Sequence, residues 1–352
     1  MLRLLFVLLL SFGLLTGTHA TTLKIATIAP DGTSWMKQLR TAAKKIQEET
    51  QGRIKIRFYP GGVMGNDKSV LRKIRVGQLQ GGAITGGGLT SIHPDTELYS
   101  LPFLFRNLQE VDHVRRVMDE QIIGALREKG FTSYGISEGG FAYLMSNQPV
   151  KSTHDLKGLK IWIPEGDKTN ARAFNTLDIS PIQLPITDVL TGLQTGLINT
   201  VATSAIGAIA LQWHTRVKYL TDVPLAYLYA SLVIKESALR KLSTEDRGVL
   251  QRIMDATFAE LNQKNRGDGQ SAVKALTQQG IRLIQPSSDE RRGWEKHAAL
   301  AIEDRNLGNH FSRIKLQQIQ TLIQESRTQP NILKHRVVAA PGRPQLTAPV
   351  SH

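Results

Sequence analysis

The run TLKIATI, residues 22–28, is a short β-rich segment that ends at Pro30-Asp31-Gly32. Apolar side chains then recur every three or four residues, as on the buried stripe of a helix, at Trp35, Leu39, Ala42 and Ile46. Residues 54–59 (IKIRFY) largely alternate apolar and basic side chains, which is the period of a strand. Strand, helix and strand at this spacing predict two parallel strands with a right-handed crossover, and hence an α/β fold.

The pattern repeats in two sets along the chain. The first set continues with a helix from Asp67, a short strand at 82–85, a helix closed by Gly130 and a strand at 131–137. The second set begins after Pro149. Its predicted strands are 159–163, 181–184, 201–204, 217–234 and 281–284. Its predicted helices include a long one over 243–279 and later ones over 288–306 and 312–327. Two such sets predict two α/β domains with open sheets, and a ligand cleft at the carboxyl ends of their strands.

The first twenty residues predict a secretory signal peptide. Arg3 precedes an apolar stretch at 4–15 that is too short to span a bilayer, and Thr18-His19-Ala20 supplies the small residues of a cleavage site after Ala20. No later stretch is long and apolar enough for a membrane span. We therefore expect an exported, periplasmic protein.

Cysteine is absent from the 352 residues, so burial alone must hold the fold together. The excess of 44 Lys and Arg over 30 Asp and Glu is spread over helix faces, and aromatic residues make up 6% of the chain. This pattern favours a solvated basic surface over a nucleic-acid site, and it leaves attraction to anionic ligands or membrane headgroups open. Residues 331–352 hold three prolines and no acidic residue, which predicts a disordered tail.

The sequence offers little for catalysis or for metal binding. There is no thiol nucleophile, and the histidines at 93, 113, 154 and 214 stand apart from one another without metal-ligand spacing. The glycines at 86–88 fit no phosphate-loop motif, and Gly87 is better suited to a loop that lines a cleft. Glu165 and Asp167 lie in a turn after a strand, where they either contact a ligand or are simply solvated. We expect neither an enzyme nor a cofactor.

Five segments in order resemble the extracytoplasmic solute receptors of TRAP transporters, the DctP type. They are YPGGVMGND (59–67), RVGQLQGG (75–82), LPFLF (101–105), DLKGLKIWIPEGD (155–167) and DVLTGLQTGLINTVAT (188–203). The likeness runs from about Leu23 to Gln285. It implies a two-domain periplasmic-binding-protein-like fold with two open sheets, hinge strands, a long helix crossing both domains, and delivery of a small molecule to a sodium-driven membrane permease.

On this resemblance the chain divides into four parts. Domain I comprises 21–139 plus 228–267, and domain II comprises 140–227 plus 268–330. The signal peptide (1–20) and the tail (331–352) lie outside both domains.

One departure from the family pattern concerns the ligand. The resemblance places a carboxylate-binding arginine in the strand after DLKG, where this chain has Trp162, and a second one near Ala142; the family's clamping asparagine falls near Thr203. A carboxylate enclosed without its paired donors costs several kcal/mol. An indole offers an apolar face instead, and burying about 300 Å² of apolar ligand surface gains roughly 7 kcal/mol before association costs. A TRAP subgroup associated with tetratricopeptide-repeat lipoproteins is similar in lacking this arginine, and such a lipoprotein is a further expected partner.

Two alternatives stay open at this point. Strand alternation puts Trp162 on the face opposite Ile161 and Ile163, so that it either lines the cleft or packs in the core. Lys168, Arg172 or backbone amides could serve an organic acid in its place. The expected ligand contacts are Trp35, Met64, Gly87, Glu138, Phe141, Trp162, Glu165, Asp167, Arg172, Thr203, Ser204, Trp213 and Tyr227. The competing functions are a receptor for an apolar molecule, a receptor for a dicarboxylate, and an exported hydrolase or adaptor on the same fold.

Overall fold

The computed structural model describes residues 20–303 and 311–328. The predicted C-terminal tail lies outside these residues, as does the predicted signal peptide apart from Ala20. No helix in the described ranges is long and apolar enough to cross a membrane.

The first lobe is built on the predicted strand–helix–strand unit. Its elements are β1 (Thr21–Thr27), α1 (Ser34–Glu49), β2 (Ile54–Tyr59), α2 (Asp67–Arg75), β3 (Gly81–Thr85), α3 (Gly86–Leu89), a 3-10 turn (Pro94–Ser100) and α4 (Leu108–Glu128). β1 lies between β2 and β3 and pairs parallel with both, which confirms the predicted crossover. One core beneath α1 and another beneath α2 and α4 cover the two faces of this sheet.

The second lobe holds shorter elements. They are β5 (Trp162–Pro164), α5 (Lys168–Asn175), β6 (Ile182–Leu184), α6 (Val189–Thr195), β7 (Thr200–Thr203), α7 (Ala205–Ala210), a 3-10 turn (Trp213–Arg216), β9 (Arg282–Ile284) and α10 (Ser288–Glu303). Parallel β5 and β6 form a separate two-stranded sheet. These positions agree with the predicted elements to within about three residues at most ends.

Two long antiparallel strands, β4 (Phe131–Ser146) and β8 (Tyr219–Lys235), run through both lobes. The predicted strand at 131–137 is therefore too short. The chain continues past Gly139 and Gly140 because register shifts, one of them between Glu138 and Gly140, absorb the irregular backbone. One sheet ordered β2-β1-β3-β8-β4-β7, with β9 beside β8, consequently extends across both lobes, where one sheet per domain was expected.

Two helices complete the molecule. α8 (Glu236–Leu239) leads into α9 (Thr244–Gln278), whose buried residues join the first-lobe core up to Leu261 and the second-lobe core from Ala272 onward. α9 is the predicted long helix that crosses both lobes.

α11 (Arg313–Thr328) corrects the predicted domain II, which included it. Its apolar stripe, with Leu316 and Ile319, packs into the first-lobe core beside α4, and Arg327 forms an ion pair with Glu110 of that helix at 2.8 Å. The last described helix therefore returns to the first lobe.

Candidate ligand-binding cleft

A cavity of about 320 Å³ lies between the two lobes. The first lobe contributes Ile28, Pro30, Gly61 and Gly62, and the second contributes Ile186, Thr187, Leu190, Ala210, Leu211, Gln212 and Trp213. None of these lining residues carries a charge, and only Thr187 and Gln212 have hydrogen-bonding side chains apart from the indole of Trp213. The cavity is thus suited to an apolar molecule with few polar groups.

The first-lobe wall follows the carboxyl ends of two neighbouring parallel strands. Pro30 comes after β1, and Gly61 and Gly62 come after β2. The amide of Gly61 donates to the carbonyl of Ala29 at 2.9 Å, so the two loops are fixed to each other. Both glycines have positive φ, and a Cβ on Gly62 would lie 3.0 Å from the side chain of Thr187 in the other lobe. Glycine therefore permits a close approach of the lobes here.

The second-lobe wall ends in an unusual backbone. Gln212 joins α7 to the next 3-10 turn in the left-handed region, at φ 60°, where a residue other than glycine carries strain. Its carbonyl accepts the hydroxyl of Thr215 at 2.7 Å. The backbone of Gln212 is thus held, and it places Trp213 at the cavity wall.

Trp162 lies behind that wall, in the core of the second lobe. Both Trp162 and Trp213 are buried, at 4% and 2% exposure, but only Trp213 belongs to the cavity lining. The indole N–H of Trp162 donates to the carbonyl of Leu184 at 3.0 Å. Its ring meets that of Trp213 edge to face, with centroids 5.2 Å apart. The expectation that Trp162 itself faces the cleft is therefore replaced by a layered arrangement, in which Trp213 meets the cavity and Trp162 supports it.

Polar contacts join the lobes outside the cavity. Glu165 accepts hydrogen bonds from Asn66 at 3.2 Å and from Lys68 at 3.3 Å, both of the first lobe. The hydroxyl of Thr169 donates to Glu97, which belongs to the 3-10 turn of the first lobe. Burial raises the pKa of Glu97. The lobes thus meet at these residues in the described arrangement.

Asp167 is the N-cap residue of α5. Its carboxylate accepts the backbone amide of Asn170 at 2.9 Å and the side-chain amide at 2.7 Å. Burial raises the pKa of this carboxyl. Helix capping therefore accounts for Asp167 without a ligand.

Glu138 is engaged within the protein. The residue is 5% exposed. Its carboxylate forms ion pairs with Arg115 of α4 at 2.9 Å and with Arg266 of α9 at 2.6 Å. The hydrogen bonds from Arg266 to Glu138 and to Asp112 raise the pKa of the guanidinium. This network joins β4 to two helices, and we assign it to the lobe junction instead of to ligand contact.

Two predicted aromatic residues pack beside that junction. Tyr227 is buried, its hydroxyl accepts from Arg115 at 3.2 Å, and burial raises its pKa. Phe141, partly buried, meets Tyr227 edge to face at 5.9 Å between centroids. The two residues are partners across β4 and β8, in the stretch between two register shifts.

Residues 135–139 (GISEG) have the spacing of a nucleophile elbow, a match that the sequence reasoning overlooked. The structure places them inside β4, whereas an elbow requires a sharp strand-to-helix turn. The hydroxyl oxygen of Ser137 accepts from the indole of Trp35 at 3.1 Å and from Asn265 at 3.4 Å, with no imidazole hydrogen-bonded to it among the described residues. Ser137 and Trp35 therefore tie α1 to β4.

The remaining predicted contacts lie around the cavity without lining it. Met64, partly buried, packs on the first-lobe core in the loop that also holds Gly61 and Gly62, and Gly87 is exposed in α3. Thr203 and Ser204 are buried at the end of β7, where Ser204 caps α7, while Arg172 and Lys168 are exposed on α5. In the described part of the chain, no three His, Asp or Glu side chains are grouped to hold a metal ion.

Trp213 is thus the one predicted contact in the cavity wall. Sequence reasoning missed Pro30, Gly61 and Gly62, although the rule that ligands bind at the carboxyl ends of parallel strands points to the loops after β1 and β2. It had no signal for Thr187, Leu190 or Gln212, because their approach depends on how the lobes meet.

Comparison with known proteins identifies the family of this chain. The model of the bacterial extracellular solute-binding protein family 7, DctP, matches residues 25–305. The chain belongs to this family. It is accordingly a TRAP-type extracytoplasmic solute receptor, which binds a small molecule for membrane transport and is not an enzyme. Members of the DctP family work in the periplasm.

The relatives of this DctP-family chain include receptors for acids. It is 23% identical over 278 residues to the sialic acid-binding periplasmic protein SiaP of Vibrio cholerae, covering 78% of this chain and 85% of SiaP. It is 22% identical to the C4-dicarboxylate-binding periplasmic protein DctP of Rhodobacter capsulatus, over 76% of this chain and 81% of that protein. The sugar-acid-binding DctP protein of Advenella mimigardefordensis, solved with galactonate, has the same fold, with a TM-score of 0.81, 17% identity, and coverage of 87% of this chain and 99% of that structure.

Proposed function

We propose that this TRAP receptor captures a small, largely apolar or aromatic molecule by closure of its two lobes and delivers it to the membrane permease. The observation that carries the proposal is the uncharged wall of the interlobe cavity, with Trp213 at its surface and Trp162 behind it. The two sides of the cavity come from different lobes, so closure would enclose a bound molecule.

The electrostatics of the wall support this choice of ligand. A carboxylate removed from water needs a bidentate cation or several aimed N–H groups. At the positions where the family pattern has arginines, this chain has Trp162 and Ala142, and both side chains are buried in the core. The indole N–H of Trp162 is already donated to Leu184, so it offers no donor to an acid.

The polar residues of the wall define the rest of the ligand. Thr187 and Gln212 supply neutral donors and acceptors, which suit a carbonyl or hydroxyl group on an otherwise apolar body. A cavity of about 320 Å³ lies at the small end of the range for ligand sites. We infer a compact neutral compound, such as an aromatic or branched carbonyl compound.

A dicarboxylate or other organic acid is the second candidate, because SiaP and the Rhodobacter DctP bind acids. Lys168 and Arg172 of α5 or backbone amides would then serve it, although neither side chain lines the cavity. We also propose, from the missing arginine, membership of the subgroup with a tetratricopeptide-repeat lipoprotein partner, and export by a signal peptide cleaved after Ala20.

Native mass spectrometry of the purified receptor tests the ligand class. A co-purified neutral, apolar compound supports the proposal, and its mass identifies it. A co-purified dicarboxylate or sugar acid would refute the apolar ligand while leaving the receptor function intact. Turnover of the bound compound would contradict the receptor function itself.

A further inference from the structure

The first lobe carries a region in which cations greatly outnumber acids. Residues 50–94 contain seven Lys or Arg and a single acidic residue, Asp67. The carboxylate of Asp67 accepts the hydroxyl of Thr85 at 2.5 Å and its amide at 3.3 Å, so it is engaged within the lobe. The positive charge of this region therefore has little compensation from its own segment.

The strand register places several of these cations on one face of the sheet. β2 is the edge strand, and its Arg57 stands opposite Lys24 of β1 in the register. Side chains alternate along a strand, and the intervening Leu23 and Ile25 point into the core beneath α1. Lys24, Lys55 and Arg57 therefore share the opposite, exposed face.

Helix α2 packs on that same face and extends its charge. The buried Val70, Leu71 and Ile74 of α2 join Ala26 of β1 in one core, while Arg72 and Arg75 remain exposed. The helix and the strands therefore bury their apolar side chains against one another and leave these charged side chains exposed.

Hydrogen bonds connect the charged strands of the sheet with α2 and the turn that follows it. Gln80, in the turn after α2, accepts the amide of Lys24 at 3.0 Å and donates its own amide to the carbonyl of Lys24 at 2.9 Å. Lys235 donates to the carbonyl of Arg75 at 2.8 Å. We call Lys24, Lys55, Arg57, Arg72 and Arg75 the basic face.

The cations of the basic face differ from their neighbours in their partners. Arg53 is paired with Asp246 at 2.9 Å, and Lys68 with Glu165 at 3.3 Å. No carboxylate of residues 20–303 or 311–328 forms an ion pair with a member of the basic face. Arg57 instead lies over the ring of Tyr59, at 5.2 Å from its centroid. The positive potential of this face is thus directed to solvent.

We propose that the basic face docks the receptor on an anionic membrane surface through the phosphate groups of its lipids. Protein interfaces have an apolar core that is rich in aromatic residues, surrounded by a polar rim. The basic face has one sign of charge, and Val76, 66% exposed at the end of α2, is the large apolar residue beside it. A charged lipid surface needs only positive potential from the protein, and each nearby Lys or Arg strengthens the attraction about fivefold.

Docking of this kind would hold the receptor near the membrane, where its cargo is delivered. It is independent of the nature of the cargo, since the basic face lies on the sheet and α2 and includes no residue of the cavity wall.

A plain structural role for Lys55 and Arg57 is the competing explanation, because charged side chains on an edge strand prevent pairing with another sheet.

Co-sedimentation of the full-length mature protein with lipid vesicles separates these explanations. Phosphatidylcholine vesicles containing about one-third phosphatidylglycerol should bind the protein at about 50 mM salt and release it at about 300 mM, and pure phosphatidylcholine should not bind it. Inorganic phosphate at the same ionic strength should compete no better than chloride.

Two charge-matched triple variants locate the effect. Lys55→Gln/Arg57→Gln/Arg72→Gln should reduce partitioning onto the anionic vesicles by roughly a hundredfold. Lys37→Gln/Lys45→Gln/Lys241→Gln removes the same charge from exposed positions outside the basic face and should reduce it much less. Circular dichroism checks that both variants fold.

Equal losses in the two variants would show that net charge alone acts, and would overturn the proposal. So would the absence of binding to anionic vesicles, or binding to polyglutamate in place of vesicles, which would assign the face to an acidic protein.

Discussion

The indole rings of Trp162 and Trp213 meet edge to face with centroids 5.2 Å apart, and only Trp213 reaches the interlobe cavity. Trp162 occupies the position at which the family pattern has a carboxylate-binding arginine. Its N–H is donated to Leu184, so the residue that replaces the arginine supports the cavity wall and offers no donor to a ligand. This pair links the change in sequence to the uncharged character of the cavity.

Trp162→Phe should destabilise the protein by about 1–3 kcal/mol, because the carbonyl of Leu184 loses its donor. Trp294→Phe is the matched control, since that buried indole also donates to a carbonyl, of Lys151, at 3.0 Å in a different core cluster. Urea unfolding should give similar losses for the two variants. Native mass spectrometry should show reduced ligand occupancy only for Trp162→Phe, and equal occupancy in both would contradict support of the cavity wall by Trp162.

Leu190→Lys places a cation in the uncharged cavity wall and should lower the affinity for an apolar ligand more than tenfold, since the ammonium must be desolvated on binding. Leu197→Lys makes the same change at a residue that is 50% exposed and outside the cavity, and should leave binding unchanged. Isothermal titration calorimetry with the compound identified by mass spectrometry measures both. Tighter binding of an organic acid to Leu190→Lys than to the wild type would show that the cavity accommodates the second candidate.

Glu138→Gln should destabilise the protein by about 2–4 kcal/mol, because it leaves Arg115 and Arg266 without their shared buried carboxylate. Asp112→Asn removes the other carboxylate that pairs with Arg266. The side chain of Asp112 is 45% exposed, so this change should cost less than about 1 kcal/mol. Chemical denaturation measures the two free energies of unfolding. Similar values would mean that the network contributes no more than a surface pair.

Local periodicity was sufficient to predict most helices and strands. On α1, for example, Leu39, Ala42 and Ile46 are buried as expected, and Met36 is buried where Trp35 was expected. It failed for β4, since Gly139 and Gly140 end a strand in most contexts. Here a partner strand of 17 residues, β8, continues the pairing beyond them. It predicted the last helix correctly but not the docking of this helix on α4, which depends on a contact more than 200 residues away in the chain.

The cleft was less predictable than the fold. Strand alternation put Trp162 and Ile161 on opposite faces, and the two belong to different core clusters. Alternation cannot, however, distinguish a face that meets a cavity from one that is covered by Trp213. Glu138 and Tyr227 were expected near a ligand and are instead engaged by Arg115, whose partners in β4 and β8 are set by tertiary packing. Lining residues such as Gln212 can be recognised only once the arrangement of the two lobes is known.

The final prediction concerns Asp67 and pH. Burial raises the pKa of Asp67 to about 6, and the hydrogen bonds from Thr85 oppose the rise only in part. The folded protein therefore binds a proton that the unfolded chain, with a pKa near 3.9, has already lost. Stability from this group is complete below about pH 4 and is lost as the pH rises through about 6.

Asp67→Asn removes this titration while its amide oxygen can still accept from Thr85, so the variant should be more stable than the wild type by about 1–3 kcal/mol at pH 7 and about equal at pH 4. Glu128→Gln, at an exposed position, should change neither value. Urea unfolding between about pH 4 and pH 7 measures the difference. A stability gain that is the same at both pH values would show that a neutral carboxyl is not what the buried site favours.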